Sequence, residues 1–237
     1  MEIIHLTDIP STNDYLLGLH TEQDVVAVSD YQSHGKGMSS NRWESEAGKN
    51  LLFSILLHPT WLPVNRQYLL SMAEALALQG TLDAVIHDVT IKWPNDIYWQ
   101  DKKISGTRID VNLYGSMLAD VVIGTGININ QREFHSDAPN PVSLYQITGR
   151  EYDRNVILHD ILSRFEPLLK QLEHGKYADI VSLYHQHLYH RDGMHPYEDD
   201  NGTFMAAIDH VEANGMLHLR LSDGTMRRYM FKEVKTK

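Results

Sequence analysis

The sequence predicts an α+β fold, with a main domain of strands and helices followed by a small all-β unit. Apolar runs of strand length and segments of helical periodicity share the first part of the chain. The last part carries short alternating runs instead, which suit a compact barrel. Domains are therefore expected over residues 1–192 and 193–237. The runs of the last part are split by three strong hairpin signals, Asn201-Gly202, Asn214-Gly215 and Asp223-Gly224.

Apolar spacing and turn residues predict the individual elements. Strands are expected at residues 2–6, 25–28 and 51–57, with three or four more between 89 and 130. A short helix is expected after the N-cap cluster Ser11-Thr12-Asn13-Asp14. Longer helices are expected at 65–80, 152–173 and 177–188. Gly80 is expected to end the first of these, because glycine often follows the last helical residue.

Composition excludes several classes of function. The formal charge of −10 over 237 residues argues against a nucleic-acid surface, which needs clustered lysine and arginine. The chain has no cysteine, so it has neither disulfides nor thiol chemistry. No basic leader is seen and no apolar run approaches the length of a membrane span. These features predict a cytoplasmic protein without a membrane partner.

The segment Lys92-Trp93-Pro94-Asn95-Asp96 is the clearest local signal of a functional site. Proline cannot donate to a sheet ladder, and it restricts the preceding residue to extended geometry. Lys92 is therefore expected on rigid backbone beside a tight turn, where its charge can be directed at an anion.

A set of motifs in one order resembles the biotin protein ligases. The resemblance covers nearly the whole chain, and five motifs in register are far more specific than any one alone. They are Ser11-Thr12-Asn13 with Tyr31-Gln32, Gly35-Lys36-Gly37 leading to Trp43-Glu44-Ser45 and Gly48-Lys49-Asn50-Leu51, Lys92-Trp93-Pro94-Asn95-Asp96, Lys103-Ile104-Ser105-Gly106, and Gly124-Thr125-Gly126-Ile127-Asn128.

The resemblance implies a catalytic domain related to class II aminoacyl-tRNA synthetases, with a mixed β-sheet and a C-terminal SH3-like barrel. It implies that ATP, with Mg²⁺, and biotin give biotinyl-5′-AMP, and that a lysine of a biotin carboxyl carrier protein then accepts the biotinyl group. A homodimer is compatible with it. The Ser-Thr-Asn motif begins at residue 11, so the short form without a DNA-binding domain is expected.

The resemblance places Ser11, Thr12, Asn13 and Gln32 at the biotin head group. A ureido ring both donates and accepts hydrogen bonds, and these side chains supply both kinds of partner. The alternative is that the first three residues only cap a helix, although a cap residue can also contact a ligand. The remaining biotin-binding residues implied are Lys36, Gly37, Met38 and Lys92.

Two lysines are predicted to be catalytic, because adenylation brings a carboxylate up to a triphosphate and the repulsion must be offset. Lys92 is assigned to the biotin carboxylate and the α-phosphate, and Lys36 to the glycine loop. Asn128 is assigned to the nucleotide together with Lys92. Lys103 also fits the family pattern, but a simple hairpin lysine is the alternative. No protein ligand is assigned to a metal, since Asp96 reads as a turn residue.

The glycine loop departs from the family pattern. The family commonly has Gly-Arg-Gly-Arg-x-Gly-Arg before the tryptophan, whereas this chain has Met38 and Asn41 at the second and third arginines. Lys36 keeps the charge of the first arginine without its bidentate geometry. Loop closure is therefore expected to depend more on apolar contact with the ligand and less on charge.

Two other functions remain open on the sequence. A lipoate protein ligase would share the fold and the adenylation chemistry, although its usual Arg-Arg-x-Ser-Gly-Gly-Gly loop is missing. A biotin-binding protein without catalysis is the second alternative, because of Met38 and Asn41. A metal site among His185, His187, His190 and His195 is not expected, since no carboxylate or thiol lies at ligand spacing.

Overall fold

The computed structural model of the chain describes residues 1–35, 37, 42–136 and 138–237. Its main feature is a seven-stranded sheet in the spatial order β1-β2-β3-β7-β6-β5-β4. Strands β1 and β2 pair in parallel and the other neighbours pair antiparallel, so the sheet is mixed as predicted. The strands are β1 (Glu2–Ile9), β2 (Val25–Gln32), β3 (Leu51–Leu57), β4 (Val89–Lys92), β5 (Asp96–Trp99), β6 (Lys102–Tyr114) and β7 (Met117–Ile127).

Helices accompany this sheet and bury its apolar residues. The longer ones pack together, α2 against both α4 and α5. The sequence predicted all of them except α3, which is only five residues long. They are α1 (Thr12–Leu17), α2 (Tyr68–Ile86), α3 (Leu144–Thr148), α4 (Arg154–Glu173) and α5 (Tyr177–Gln186), and a 3₁₀ turn at Val64–Arg66 precedes α2.

Helix α2 does not end at Gly80, so that prediction is wrong. The helix continues to Ile86 because Leu82 is fully buried, and burial of this kind outweighs the helix cost of about 1 kcal/mol for glycine. A Cβ at Gly80 would lie 3.3 Å from Nη1 of Arg164 on α4. The absence of a side chain at Gly80 therefore lets α2 pack closely against α4. The helix ends instead where His87 and Asp88 adopt positive φ angles.

The segment Val64–Ile86 is long and apolar enough to cross a membrane by length and composition alone. However, 72% of its most apolar window is buried inside the fold. That burial is what a core helix requires, so the segment gives little support for a membrane span.

A second sheet, antiparallel and five-stranded, occupies the C-terminal part of the chain and is consistent with the expected SH3-like unit. Its spatial order is β11-β10-β9-β8-β12. All three predicted hairpin signals lie at or beside its turns, and the sheet begins close to the predicted boundary at 192/193. The division into two domains stays a prediction. The strands are β8 (His195–Asp199), β9 (Gly202–Val211), β10 (Leu217–Leu221), β11 (Met226–Tyr229) and β12 (Lys235–Thr236).

The turn between β9 and β10 connects the two sheets. Trp93 donates from its indole Nε1 to the carbonyl oxygen of Gly215 at 3.0 Å. Gly215 lies on the ring of Tyr68, where a Cβ would come within 2.8 Å, and its φ is +92°. Both conditions select glycine at this position. The contact fixes the C-terminal sheet beside the turn that follows β4.

The carboxyl group of Glu74 is buried on the face of the main sheet that packs against α2. Glu74 of α2 is fully buried and accepts hydrogen bonds from the hydroxyls of Thr125 at 2.6 Å and Thr107 at 3.0 Å. Desolvation by burial raises the pKa of Glu74 from 4.5 to about 7, although both hydrogen bonds act to lower it. The folded state therefore holds a proton that the unfolded state releases at lower pH.

We expect Glu74 to make the folded protein less stable as the pH rises from about 4.5 to 7. The folded state binds more protons than the unfolded state in this interval, so the free energy of unfolding falls by about 3 kcal/mol across it. Glu74→Gln should remove this loss, and the variant should be more stable than the parent at pH 8. Urea unfolding at pH 5, 6.5 and 8 measures the effect.

Glu173→Gln is the matched control, since Glu173 is an exposed glutamate on α4. It should leave the pH profile of the parent unchanged. Equal profiles for the parent and Glu74→Gln would contradict the assignment.

Candidate functional site

A cavity of about 590 Å³ opens on the face of the main sheet away from α2. Strands β6 and β7 contribute its floor, and the segments after β1, β2 and β7 contribute its walls. Phe231 of the C-terminal unit also lines it. The predicted site residues that line the cavity are Ser11, Thr12, Asn13, Gln32, Gly37 and Asn128.

Glycines make the floor of this cavity. Gly106 and Gly126 are paired across β6 and β7, and both lie under the indole of Trp43. A Cβ at Gly126 would come within 2.6 Å of the Trp43 Nε1 atom, and one at Gly106 within 3.1 Å of the ring. The absence of side chains therefore creates the space into which Trp43 fits.

The polar wall begins where α1 meets the end of β2. Ser11 caps α1 by accepting from the Asp14 amide at 3.3 Å, so the predicted cap and the cavity position coexist in one residue. Gln32 Oε1 accepts from the Thr12 amide at 2.7 Å. This bond fixes the orientation of the Gln32 side-chain amide. Its Nε2 group is left as a donor for a ligand in the cavity.

A chain of hydrogen bonds continues from this wall to a charged pair. Ser54 of β3 lies 2.6 Å from the Thr12 hydroxyl and donates to Asn13 Oδ1 at 2.6 Å. Asn13 Nδ2 then donates to Asp110 at 2.9 Å. Asp110 is also bound by the Arg108 guanidinium at 2.8 Å, and this contact raises the pKa of Arg108. Each amide and hydroxyl at this end of the cavity is thereby held in a defined orientation.

Lys103 is the lysine that lines the cavity within the described part of the chain. Its Nζ forms an ion pair with Asp96 Oδ1 at 2.7 Å, and Asp96 lines the cavity as well. A Cβ at Gly106 would lie 3.1 Å from this amino group, so the glycine also leaves room for the lysine. The arrangement presents a positive charge above the glycine floor.

Lys92 is not among the residues that line the cavity, but its amino group contacts one of them. Its Nζ donates to the Tyr98 hydroxyl at 3.2 Å and lies 4.7 Å from the Tyr98 ring and 5.8 Å from the Tyr189 ring. Burial lowers the pKa of Lys92, with Asp96 opposing the shift. Lys92 pairs with Asp96 across β4 and β5, so both side chains leave the same face of the sheet, and Asp96 lines the cavity. The Lys92 amino group therefore lies on the cavity side of the sheet, against the lining residue Tyr98, and its assignment stays a prediction.

Asn128 and Glu44 organise the wall formed by the segment after β7. Asn128 donates to the Val142 carbonyl at 3.1 Å, and its Oδ1 is buried without a hydrogen-bond partner. Glu44 accepts from the amides of His135 and Ser136, both at 2.8 Å. Burial raises the pKa of Glu44, but these hydrogen bonds outweigh it and leave the pKa below its usual value. The unpaired Asn128 oxygen offers an acceptor to a ligand.

Lys36 and Met38 lie outside the described residues, together with Asn41. Their assignments to biotin binding and catalysis stay predictions. Gly37 and Arg42 are described, and both line the cavity.

Sequence reasoning gave no role to several residues of the cavity. Trp43 lies in one of the motifs that carry the family resemblance, Trp43-Glu44-Ser45, and this motif could have identified it. Arg108 carried no signal, because its position depends on strand pairing. The same holds for Ser54, which does not line the cavity but binds Thr12 and Asn13. Phe231 carried none either, since it reaches the cavity from the C-terminal unit.

We expect Gly124→Ala to destabilise the folded protein by about 1–3 kcal/mol, the usual cost of overpacking. The new Cβ would lie 2.6 Å from Asn13 Cγ, and Asn13 cannot withdraw without losing its bonds to Ser54 and Asp110. Urea unfolding measures the loss. Gly18→Ala is the control, because the nearest atoms to its Cβ are 3.6 Å away. An equal loss in the two variants would contradict this account of the floor.

Comparisons with known proteins agree on one family. Residues 6–128 match the Biotin/lipoate A/B protein ligase family. The bifunctional ligase/repressor BirA of Bacillus subtilis is 28% identical over 94% of this chain and 70% of its own length. The biotin–[acetyl-CoA-carboxylase] ligase of Mycobacterium tuberculosis is 27% identical over 62% of this chain and 54% of its own.

A solved structure supports the same fold. The biotin protein ligase of Aquifex aeolicus, in complex with biotin and ATP, superposes with a TM-score of 0.83. It is 24% identical and covers 100% of this chain and 98% of its own. The chain therefore belongs to the biotin/lipoate A/B protein ligase family and has the fold of a biotin protein ligase.

Proposed function

We propose that this protein activates biotin with ATP to form biotinyl-5′-AMP and transfers the biotinyl group to a lysine of a biotin carboxyl carrier protein. One observation carries the proposal: a polar cluster and a lysine lie at separate places along the floor of one cavity. Asn13 contacts Asp110 on β6, and Lys103 lies seven residues earlier on the same strand. The Lys103 amino group reaches back to Gly106. Asn13 lies against Gly124, which pairs with Arg108, two residues after Gly106. At 3.3 Å per residue these two floor positions are about 7 Å apart, so one small ligand can contact both groups.

The polar cluster suits a ureido ring. The ring carbonyl needs donors, and the Ser11 hydroxyl and the Gln32 amide can supply them. The ring N–H groups need acceptors, and hydroxyl or amide oxygens of the same cluster provide these. Because hydrogen bonds among Thr12, Asn13 and Ser54 already fix the side chains, little ordering is left for the ligand to impose.

Lys92 stays the residue we assign to the biotin carboxylate and the α-phosphate, and we add Lys103 beside it. Lys103 lines the cavity, and Lys92 lies on the same face of the sheet with its amino group against the lining residue Tyr98. Their positive charge offsets the repulsion between the two anions and the charge that develops on pyrophosphate. Asn128, with its unpartnered buried oxygen, stays the proposed nucleotide contact.

The reaction has two steps. A carboxylate oxygen of biotin attacks the α-phosphorus of ATP, a new P–O bond forms and the bond to pyrophosphate breaks. The neutral amine of the carrier lysine then attacks the acyl carbon of the mixed anhydride. An amide bond forms, AMP leaves with its phosphate oxygen, and the amine loses a proton. Trp43 over the floor helps to exclude water from the anhydride.

Mg²⁺ is the proposed companion of ATP. It prefers oxygen ligands and is commonly held by one or two carboxylates together with phosphates and water. Asp96 fits this requirement, because its carboxylate lines the cavity beside Lys103. The ion would supply further neutralisation of the phosphate charge. Asp96 would in addition orient the Lys103 amino group through their ion pair.

The carrier is proposed to be a subunit of acetyl-CoA carboxylase or a related carboxylase. The name of the Mycobacterium tuberculosis relative supports this choice. We propose that the reaction takes place in the cytoplasm, in keeping with the absence of cysteine in the sequence.

Lys103→Ala is expected to lower the rate of biotinyl transfer by about 10²–10³, the usual cost of losing one group that stabilises developing charge. Lys92→Ala is expected to lower the rate by a similar factor, since its amino group lies on the same face of the sheet. The readout is the mass of a carrier domain after incubation with enzyme, ATP, Mg²⁺ and biotin.

Lys102→Ala is the matched control, because Lys102 is an exposed lysine next to Lys103 on β6 and does not line the cavity. It should leave the rate unchanged, and an equal loss in Lys102→Ala would contradict the assignment. Pyrophosphate release without a carrier separates the first step from the second. No release by the parent protein would favour a biotin-binding protein without catalysis.

Biotin rather than lipoate is expected to bind the parent protein. Lipoate has no ureido group, so it would leave the fixed polar cluster unsatisfied, and an unsatisfied buried group costs about 1–3 kcal/mol. Calorimetric titration should therefore show biotin binding at least about fivefold more tightly. Gln32→Ala should weaken biotin binding and leave lipoate binding unchanged. Tighter binding of lipoate would contradict the choice of substrate.

A further inference from the structure

A second cluster with ligand chemistry lies in the C-terminal sheet, away from the cavity residues. His210 of β9 and His218 of β10 are cross-strand partners, and their rings stack with centroids 4.0 Å apart. Glu212 follows His210 by two residues. The ligand atoms of these three side chains all lie within 4.8 Å of one another.

This group differs from the histidines that stand out in the sequence. Among the residues the structure describes, His185, His187, His190 and His195 do not form a comparable group with a carboxylate. The sequence gives no sign of the new cluster, because strand pairing across the β9–β10 turn brings its members together.

Neighbouring groups orient the three side chains. Asp209 Oδ2 lies 2.8 Å from His210 Nδ1 and is itself paired with the Arg220 guanidinium at 3.5 Å. A carboxylate on one ring nitrogen holds the histidine with its other nitrogen, Nε2, available for a metal. Such a carboxylate–histidine pair is the usual companion of a metal-binding imidazole.

The glutamate is oriented in a similar way. Glu212 Oε2 accepts from Asn214 Nδ2 at 3.2 Å, which directs Oε1 toward His218 Nε2 at 2.6 Å. His218 is 6% exposed, whereas Glu212 is 41% and His210 46% exposed. The cluster is therefore anchored in the sheet on one side and open to water on the other.

We propose that His210, Glu212 and His218 bind one divalent cation of the zinc class. Two imidazole nitrogens and one carboxylate oxygen form a donor set typical of Zn²⁺, and water on the open side completes four-coordination. Mg²⁺ and Ca²⁺ prefer sets made only of oxygen, so they are not the ions expected here.

The site is proposed to stabilise the hairpin that joins the two sheets. Glu212 also closes the β9–β10 turn, since its amide donates to the Met216 carbonyl and its carbonyl accepts from the Gly215 amide, both at 2.9 Å. Gly215 in turn accepts from Trp93. An ion bound across β9, β10 and this turn would restrain the contact between the C-terminal unit and the turn after β4.

Calorimetric titration of the full chain with Zn²⁺, without ATP or biotin, tests the proposal. One Zn²⁺ per chain should bind, and Zn²⁺ should raise the thermal unfolding temperature. His210→Gln and Glu212→Gln should each weaken binding more than tenfold, since loss of an outer orienting group alone costs about that much. Co²⁺ in place of Zn²⁺ should give the intense visible absorption of a four-coordinate nitrogen and oxygen site in the parent only.

His159→Gln is the matched control, because His159 is an exposed histidine on α4. It should bind Zn²⁺ as the parent does. The metal-free variants should unfold near the temperature of the metal-free parent, which separates loss of a ligand from loss of folding. The proposal is overturned if the parent binds no Zn²⁺, or if His159→Gln weakens binding as much as His210→Gln and Glu212→Gln.

Discussion

The pairing of β6 with β7 is the constraint on which the rest of the structure depends. This ladder has two different faces because side chains alternate along a strand. Toward α2 it directs Thr107 and Thr125 at the buried carboxyl of Glu74. Toward the loops it has glycines, whose lack of side chains makes room for the indole of Trp43 on the cavity floor. A shift of register by one residue would exchange the two faces, so the cavity and the core are specified together.

Much of the fold could be predicted from the sequence, because apolar periodicity and turn pairs are local signals. The strand Leu51–Leu57 and the turns of the C-terminal sheet follow directly from them. The C-terminal limit of α2 could not be predicted in this way. Gly80 is a local stop signal, but burial of the following turn against α4 is a tertiary effect that outweighs it.

In the candidate site, too, local sequence signals were predictive and tertiary effects were not. Ser11, Thr12, Asn13 and Gln32 could be predicted as a group because hydrogen-bonding side chains cluster in two short motifs, and the structure brings them together on one wall. The place of Lys103 in the cavity could not be predicted from its motif alone. The pairing of β5 with β6 brings its amino group to Asp96, on the same face of the sheet as Lys92.

The turn after β4 is held from three directions. The carbonyl oxygen of Pro94 accepts hydrogen bonds from Tyr68 of α2 and Tyr184 of α5, while Trp93 is bound to Gly215. Burial raises the pKa of both tyrosines, so each remains a donor throughout the physiological range. Such redundancy gives mutational tolerance. One of the three hydrogen bonds can be lost in evolution while the other two keep Asp96, the residue after the turn, in place.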